Sequence, residues 1–320
     1  MILERLPGNP SNWYIFVEPY GLGDCLANLS LFGSFRHRHC RDNEKICYVT
    51  ISSLGNLQPL VPNIVDLWLT FPNNLSVLLY LYNEIIPQKY SLEVSNPVSL
   101  APSGYRGLSS FVGTLPSEHH FTLKKLLLGL SPTTPFQLSS RKFSDSEDFN
   151  YRSKFFRNGL DPSLCVLIIP HAQSCAKLPQ WYWDYLVQKL HSAGFFVFFD
   201  IYTFYTGAPS GAVECKLSLS EIVFLARNIG CVITYRSGIT DLVAIMSDKV
   251  HFCLYPSKDL LLHGYAESAD IRLTTTNYLF DLDREISFFE TISTLTDREQ
   301  TPVLRCLDKV ALSVKQHLCS

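Results

Sequence analysis

The sequence predicts an α/β protein built on parallel sheets, because short apolar runs alternate with stretches of helical periodicity. Trp13–Glu18 is an aromatic and β-branched run that leads through a glycine-containing turn into apolar residues at helical spacing. Leu164–Ile169 is a continuous apolar run, typical of a strand buried on both faces. A third run, Cys231–Tyr235, stops before Ser237 and Gly238 and is followed by another helical stretch. These three runs set the strand-turn-helix pattern of the chain.

The composition indicates a folded protein and excludes several classes. The chain has 320 residues, which is enough for two domains, and 47% hydrophobic residues can bury a large core. A net charge of −2 gives no basic excess for nucleic acid. Ten cysteines without a CxxC pair indicate reduced thiols and argue against zinc. No apolar run reaches the roughly 20 residues of a membrane span, and no signal peptide is seen at the start. We therefore expect a cytoplasmic protein, with peripheral membrane contact left open.

The first half of the chain contains further short elements. Lys45–Ser52 is predicted to be the second strand, and residues 64–71 and 77–86 are short apolar units broken by prolines. Residues 91–118 are rich in Ser, Pro and Gly and indicate a loop. Phe121–Leu130 has the spacing of a short amphipathic helix. A packed helix with one wet face explains it, and a membrane-surface contact is the alternative.

A polar stretch at residues 131–150 marks the predicted domain boundary. We predict a first α/β domain at 1–145 and a second α/β domain at 146–285. Residues 286–320 are predicted to form a C-terminal helical segment, with a helix over 302–318.

In the second half, strands and helices alternate regularly, which predicts a doubly wound parallel sheet. Ser218 and Glu221 have the spacing of a capping box at the start of one helix. The other predicted elements are helices at Trp181–Leu190 and Ser218–Ala226, and strands at Phe195–Asp200 and Val250–Tyr255.

The turn after the first strand carries a candidate acid. Gly21 and Gly23 lie in this strand-to-helix turn, and Asp24 lies at the start of the following helix. An aspartate at this position can simply cap the helix. It is also placed to face a ligand, because α/β proteins bind ligands at the carboxyl ends of their strands.

The turn after Cys231–Tyr235 is a candidate phosphate site. Gly238 lets backbone approach a ligand, and the N–H groups at a helix start favour an anion. Arg236 adds a cation that can contact phosphate through two nitrogens, and Ser237 lies beside it. The alternative is an ordinary turn in which Asp241 helps to cap the helix.

A third group of candidate residues follows Leu164–Ile169. His171, Gln173, Ser174 and Lys177 lie in the loop after this strand, where Lys177 could neutralise a diphosphate and Ser174 could donate a hydrogen bond. No GxxxxGK[ST], GxSxG or HExxH motif is present, and the glycine turn of the first strand lacks the full dinucleotide fingerprint. A nicotinamide enzyme is therefore disfavoured.

Together, three segments resemble the GT-B glycosyltransferases, and within them the ADP-heptose:lipopolysaccharide heptosyltransferase-like group. Gly23-Asp24 is similar to that group's Gly-Asp motif, and the segment 177–183 is similar to its Lys-Trp-Pro segment and helix. The segment 236–241 resembles its Asp-Ser-Gly-x-x-His turn. The chain departs from the family at three positions, where Leu178 replaces Trp, Arg236 replaces Asp and Asp241 replaces His. Because of these departures, the sequence predicts a different nucleotide-activated sugar at least as strongly as it predicts heptose.

The resemblance implies two Rossmann-like domains that face each other across a cleft, with the terminal helix returning to the first domain. By this resemblance, the domain at 1–145 lies on the acceptor side and the domain at 146–285 binds the nucleotide sugar. It also implies an inverting, metal-independent sugar transfer from a nucleotide-diphosphate donor to a glycan or lipid-linked glycan, in lipopolysaccharide or capsule synthesis. Asp24 would be the general base, and no cofactor or metal is expected. The implied donor-binding residues are His171, Gln173, Ser174, Lys177, Arg236, Ser237, Gly238 and Asp241, and the implied acceptor-side residues are Gly21 and Gly23.

Two alternatives stay open on the sequence. One is another nucleotide-sugar enzyme on the same fold, such as an epimerase or a pyruvyl-type transferase. The other is a non-catalytic glycan-binding protein that keeps the fold.

Overall fold

The computed structural model describes most of the chain, in segments. They are residues 5–8, 12–18, 21–61, 63–73, 125, 128–138, 141–157, 159–172, 177–201, 207–255, 287–290 and 300–319. Several predictions lie outside these segments: the apolar unit at 77–86, the loop at 91–118, most of the helix at 121–130, and the residues Gln173 and Ser174. The side chain of Asp24 also lies outside the described part. The chain divides into two units, Met1–Arg141 with Leu279–Asp281 and Lys142–Tyr278 with Leu282–Ser320.

The first unit contains a three-stranded parallel sheet in the order β1-β2-β3. Aromatic side chains attach its helix to the sheet. Phe16 on β1 contacts Phe32 on the helix at 4.6 Å between ring centroids, and Phe32 contacts Tyr48 on β2 edge-on at 5.3 Å. Its elements are β1 (Trp13–Glu18), α1 (Leu22–His39), β2 (Lys45–Ile51), a 3-10 helix (Ser52–Leu60) and β3 (Leu67–Phe71).

The second unit contains a six-stranded parallel sheet in the order β6-β5-β4-β7-β8-β9. The central strands are fully buried, as their continuous apolar sequences predict. The elements are α2 (Asp145–Phe155), β4 (Cys165–Ile169), α3 (Gln180–Ser192), β5 (Phe196–Asp200), β6 (Ala212–Cys215), α4 (Leu219–Asn228), β7 (Cys231–Tyr235), α5 (Gly238–Met246), β8 (Val250–Tyr255), β9 (Ser287–Glu290) and α6 (Gln300–Leu318).

Each face of this sheet has its own core. One face packs Trp183 and Leu186 of α3 together with Leu307, Val310 and Val314 of α6. The other face packs residues of α2, α4 and α5, among them Phe155, Phe224 and Val243. The described core contacts of the terminal helix therefore belong to the second unit. Its expected return toward the first domain stays a prediction.

Three elements of the second unit do not follow from the sequence patterns. Helix α2 begins inside the polar stretch 131–150, which predicts a domain boundary. Its sequence has no apolar stripe, so periodicity does not predict a helix there. A capping box between Ser144 and Glu147 marks its start, an exposed ion pair joins Asp148 to Arg152, and Phe155 packs on the sheet. The strands β6 and β9 have four residues each, which is too short for a clear alternation.

The predicted capping box of α4 is confirmed and gives a stability test. The Ser218 hydroxyl accepts from the Glu221 N–H, and the Glu221 carboxylate accepts from the Ser218 N–H. We expect Ser218→Ala to lower the free energy of unfolding by about 1 kcal/mol, because the first turn of the helix loses its cap. Ser220→Ala is the control, since Ser220 lies inside the helix and is not the cap. Equal losses from the two variants in urea denaturation would contradict the prediction.

Candidate functional site

The strand order of the second unit defines where a ligand can bind. From β4 the chain proceeds outward on one side through β5 and β6, and then returns to β7 on the other side of β4 and continues outward through β8. The loops after β4 and β7 therefore leave the sheet in opposite directions, and α/β proteins bind ligands in the crevice that forms there. Because β4 and β7 pair directly, with Ile169 opposite Thr234, the two loops start side by side.

The loop after β7 ends in a helix start that is strongly self-capped. The Ser237 hydroxyl accepts from the Ile239 N–H at 3.3 Å, and the Ser237 carbonyl accepts from the Thr240 N–H at 2.9 Å. Thr240 in turn accepts from the Ser237 N–H at 3.1 Å. Among the N–H groups of the first helical turn, that of Gly238 has no acceptor among the residues that the structure describes. A phosphate at this turn would therefore meet one backbone donor, with others available only if the Ser237 cap moves.

Arg236 and Asp241 form an ion pair at the same turn. The Arg236 Nη1 lies 3.0 Å from the Asp241 Oδ2 and also donates to the Ser237 carbonyl at 2.6 Å. The Asp241 side chain is 3% exposed and that of Arg236 is 17% exposed. The carboxylate is thus buried, while part of the Arg236 side chain reaches solvent. This geometry shows a second role for Asp241, which holds the cation in place.

A chain of buried hydrogen bonds supports the turn from behind. The Thr240 hydroxyl lies 3.1 Å from the Thr234 hydroxyl, which lies 2.8 Å from the His251 Nε2. All three side chains are buried. Since Thr234 is on β7, Thr240 on α5 and His251 on β8, this chain ties the helix start to two strands. It makes the turn rigid, which is what a binding site at this position requires.

The loop after β4 places a histidine next to a buried carboxylate. The His171 Nδ1 lies 3.9 Å from the Oδ2 of Asp200, which ends β5, and the Asp200 Oδ1 accepts from the Leu217 N–H at 3.1 Å. Burial lowers the pKa of His171 to about 4, although a carboxylate lies nearby, because loss of hydration is the larger influence. His171 is therefore neutral at physiological pH and can donate or accept one hydrogen bond to a ligand.

The lowered pKa of His171 predicts an acid-dependent loss of stability. In the unfolded chain a histidine titrates near pH 6.5, whereas in the folded protein the pKa is about 4. The unfolded state therefore binds a proton that the folded state does not, and stability falls as the pH is lowered from about 6.5 toward 4. We expect His171→Gln to flatten this part of the profile in chemical denaturation. His191→Gln, at an exposed site on α3, is the control, and identical profiles for His171→Gln and the unsubstituted protein would contradict the prediction.

The remaining predicted residues are placed as follows. Lys177 is exposed, and Leu178, which stands where the resembling family has Trp, is fully buried. Gly21 is the N-cap of α1, and its carbonyl accepts from the Cys25 N–H at 3.1 Å. The prediction that Gly23 lies in the turn is wrong, because the helix begins at Leu22 and includes Gly23. Asp24 lies in its first turn.

Four polar residues of the second unit were not predicted to contribute to the site: Asp200, Thr234, Thr240 and His251. Asp200 carried a signal, since it ends the apolar run Phe195–Asp200 at the carboxyl edge of the sheet. The other three lie in apolar or ordinary helical contexts, and only the tertiary structure brings them together.

Neither a metal cluster nor a membrane span is found in the part of the chain that the structure describes. No group of three His, Cys, Asp or Glu side chains among these residues could hold a metal ion. Among the described helices, none has an apolar stretch long enough to cross a membrane.

Comparisons with known proteins identify the fold. No protein-family model matches the sequence, and no curated protein matches it either. Solved structures do match. The structure of the E. coli ADP-heptose LPS heptosyltransferase II has a TM-score of 0.52 at 14% identity, covering 94% of this chain and 99% of that one.

Two further structures match over a similar extent. A family 9 glycosyl transferase from Veillonella parvula has a TM-score of 0.58 at 12% identity, covering 97% of this chain and 98% of that one. E. coli heptosyltransferase WaaC with ADP has a TM-score of 0.52 at 11% identity, covering 95% and 99%. At such identities the likeness establishes the fold alone. The predicted fold class and resemblance are confirmed: this chain has the α/β fold of the GT-B glycosyltransferases and resembles the heptosyltransferases.

Proposed function

We propose that the protein is a glycosyltransferase that moves a sugar from a nucleotide-diphosphate donor to a glycan acceptor. The product would be a bacterial surface polysaccharide, either lipopolysaccharide or capsule. One observation carries the proposal. The crevice between the β4 and β7 loops brings a neutral histidine, a cation and a helix start to one edge of the sheet. The likeness to heptosyltransferase structures over nearly the whole chain supports it.

We infer that the donor diphosphate binds in this crevice. Lys177 and the exposed part of Arg236 would supply positive charge, and the Gly238 N–H would supply a backbone donor. Ser237 would contribute its hydroxyl if the cap opens. His171 on the facing loop would bind the rest of the donor through hydrogen bonds, and we propose the same role for Gln173 and Ser174, which follow it in the sequence. Asp241 would contribute through Arg236, since its carboxylate contacts that guanidinium.

The chemical step follows from these roles. As the sugar leaves, negative charge develops on the nucleotide diphosphate, and preorganised cations and N–H groups stabilise that charge. Asp24 would take the proton of the acceptor hydroxyl as it attacks the anomeric carbon, which inverts the configuration there. Gly21 and Gly23 would leave space for the acceptor, because neither carries a side chain. The step needs no metal ion in this scheme, because the protein supplies the positive charge.

The same proposal extends to the donor nucleotide, the acceptor and the place of the reaction in the cell. The similar structures include an ADP-heptose LPS heptosyltransferase and a heptosyltransferase with ADP, so ADP-linked sugars are the first donors to examine. The acceptor would be a glycan or a lipid-linked glycan, and the reaction would take place in the cytoplasm, at the inner face of the membrane when the acceptor is lipid-linked. No nucleic acid partner is proposed.

A thermal-shift screen tests donor binding. We expect ADP, UDP, GDP or CDP at a hundredfold excess over its Kd to stabilise the folded protein by about 2.7 kcal/mol and to raise the melting temperature. Lys177→Gln should reduce the shift for the diphosphate that binds, because one phosphate contact loses its charge. Lys142→Gln, an exposed lysine before α2, is the matched control and should leave the shift unchanged.

Two outcomes would contradict the proposal. If no nucleotide diphosphate raises the melting temperature, the result contradicts the donor site and favours the alternative of a non-catalytic glycan-binding protein on this fold. If a nucleotide sugar is bound but is epimerised or hydrolysed with no acceptor present, the protein is another nucleotide-sugar enzyme.

A further inference from the structure

A second cavity lies at the outer edge of the six-stranded sheet, away from the β4 and β7 loops. It has a volume of about 530 Å³, within the roughly 300–1,000 Å³ that small-molecule sites span. It opens between the end of α2, the loop that follows it and the edge strand β6. None of its lining residues belongs to the loops that carry the proposed donor site.

The floor of the cavity is apolar. Phe155, Phe198 and Leu217 are buried there, and Phe196 and Leu160 line it further out. Val213 on β6 also lines it and is 41% exposed, although it is a large hydrophobic residue on a strand. Exposed apolar surface beside a concave apolar floor marks a surface that a ligand can cover.

The rim of the cavity is charged, with a surplus of cations. Lys154 is paired with Glu221, but neither Arg157 nor Lys216 makes an ion pair with any residue that the structure describes. Arg157 donates through Nε to the Ser153 carbonyl at 2.9 Å, which leaves its charge uncompensated.

The lining of the cavity carries little negative charge. Glu214 is its one carboxylate, and the Glu214 Oε2 accepts from the Ala208 N–H at 3.2 Å. Burial raises the pKa of Cys215 to about 12, so this thiol carries no charge at neutral pH. Two uncompensated cations therefore face one carboxylate.

We propose that this cavity binds a single-chain amphiphile with an anionic head group. The chain would cover Phe196, Phe198 and Val213, and the head group would lie between Arg157 and Lys216. Charge complementarity and the apolar floor together select this class: a free anion leaves the floor exposed to water, and a neutral chain leaves both cations without a partner. This site is independent of the proposed transferase activity.

Three probes separate the contributions of head and chain. In calorimetric titrations of the full chain below the micelle concentration, octyl phosphate is expected to bind saturably. Octyl glucoside has the same chain without the charge, and inorganic phosphate has the charge without the chain. Each of these two is expected to bind at least tenfold more weakly.

Substitutions on the surface of the cavity test its location. Arg157→Gln with Lys216→Gln should weaken octyl phosphate binding about five- to tenfold and leave octyl glucoside unchanged. Val213→Glu should weaken binding of both octyl compounds, and Glu214→Gln should strengthen binding of octyl phosphate. Lys142→Gln is the control, because Lys142 is an exposed lysine of the same unit that does not line the cavity.

The proposal is overturned by any of three results: no saturable binding of octyl phosphate, equal binding of all three probes, or octyl phosphate binding that the double substitution and Val213→Glu both leave unchanged. All substituted positions are exposed, and a melting temperature equal to that of the unsubstituted protein confirms folding before each titration.

Discussion

Asp24→Asn is expected to reduce sugar transfer by a hundredfold to ten-thousandfold while leaving donor binding intact. The amide cannot accept the acceptor proton as a carboxylate does, and general-base catalysis by a placed side chain contributes about this factor. The measurement is release of nucleotide diphosphate from the donor that the thermal-shift screen selects, with a deacylated lipopolysaccharide core oligosaccharide as acceptor. The melting-temperature shift by nucleotide diphosphate is measured on the same variant.

Asp42→Asn is the matched control for this experiment. Asp42 is an exposed residue in the turn between α1 and β2 and has no assigned role. Its variant should keep both turnover and donor binding. Full turnover by Asp24→Asn would remove Asp24 as the base, whereas a joint loss of turnover and donor binding would show that Asp24 supports the donor site or the fold.

Replacing Asp241 by alanine is expected to cost about 3 kcal/mol of folding stability and to weaken donor binding. The substitution removes the carboxylate partner of the largely buried Arg236 cation, and breaking a buried pair on one side is costly. Replacing both residues, as Arg236→Met with Asp241→Leu, should recover most of the stability because no charge is left unpaired. The double variant should still bind the donor poorly, since its cation is gone. Urea denaturation and the thermal-shift assay measure the two effects separately.

The exchanged pair, Arg236→Asp with Asp241→Arg, separates pairing from placement. It restores opposite charges but moves the cation from the strand end into the first turn of α5. We expect partial recovery of stability and no recovery of donor binding. Donor binding by the exchanged pair at the original strength would show that the position of the cation does not matter, and would contradict the assigned role of Arg236.

The fold of the second unit could be predicted well because its local and tertiary signals agree. The strands β7 and β8 have the bounds that the sequence predicts, since apolar, β-branched runs end there at Arg236 and Pro256. Helix α4 begins where its capping box is. Helix α2 could not be predicted by periodicity, because Phe155 is its one buried apolar residue and the sequence shows no apolar stripe.

The candidate site could be predicted less completely, because side-chain pairing depends on tertiary structure. The sequence shows Arg236 and Asp241 in one turn but does not show that the carboxylate neutralises the guanidinium. It shows His171 after β4 but not its neighbour Asp200, which is 29 positions further along the chain. Thr234 and His251 are likewise joined only because β7 and β8 pair.

The late elements β9 and α6 have a consequence for biosynthesis. Without β9, the backbone groups along one side of β8 would be unpaired, and without α6, the apolar residues around Trp183 would face water. The second unit therefore cannot bury its sheet while the ribosome is still translating the segment before residue 287. During that interval the nascent chain presents an open strand edge, the kind of surface that chaperones protect from aggregation.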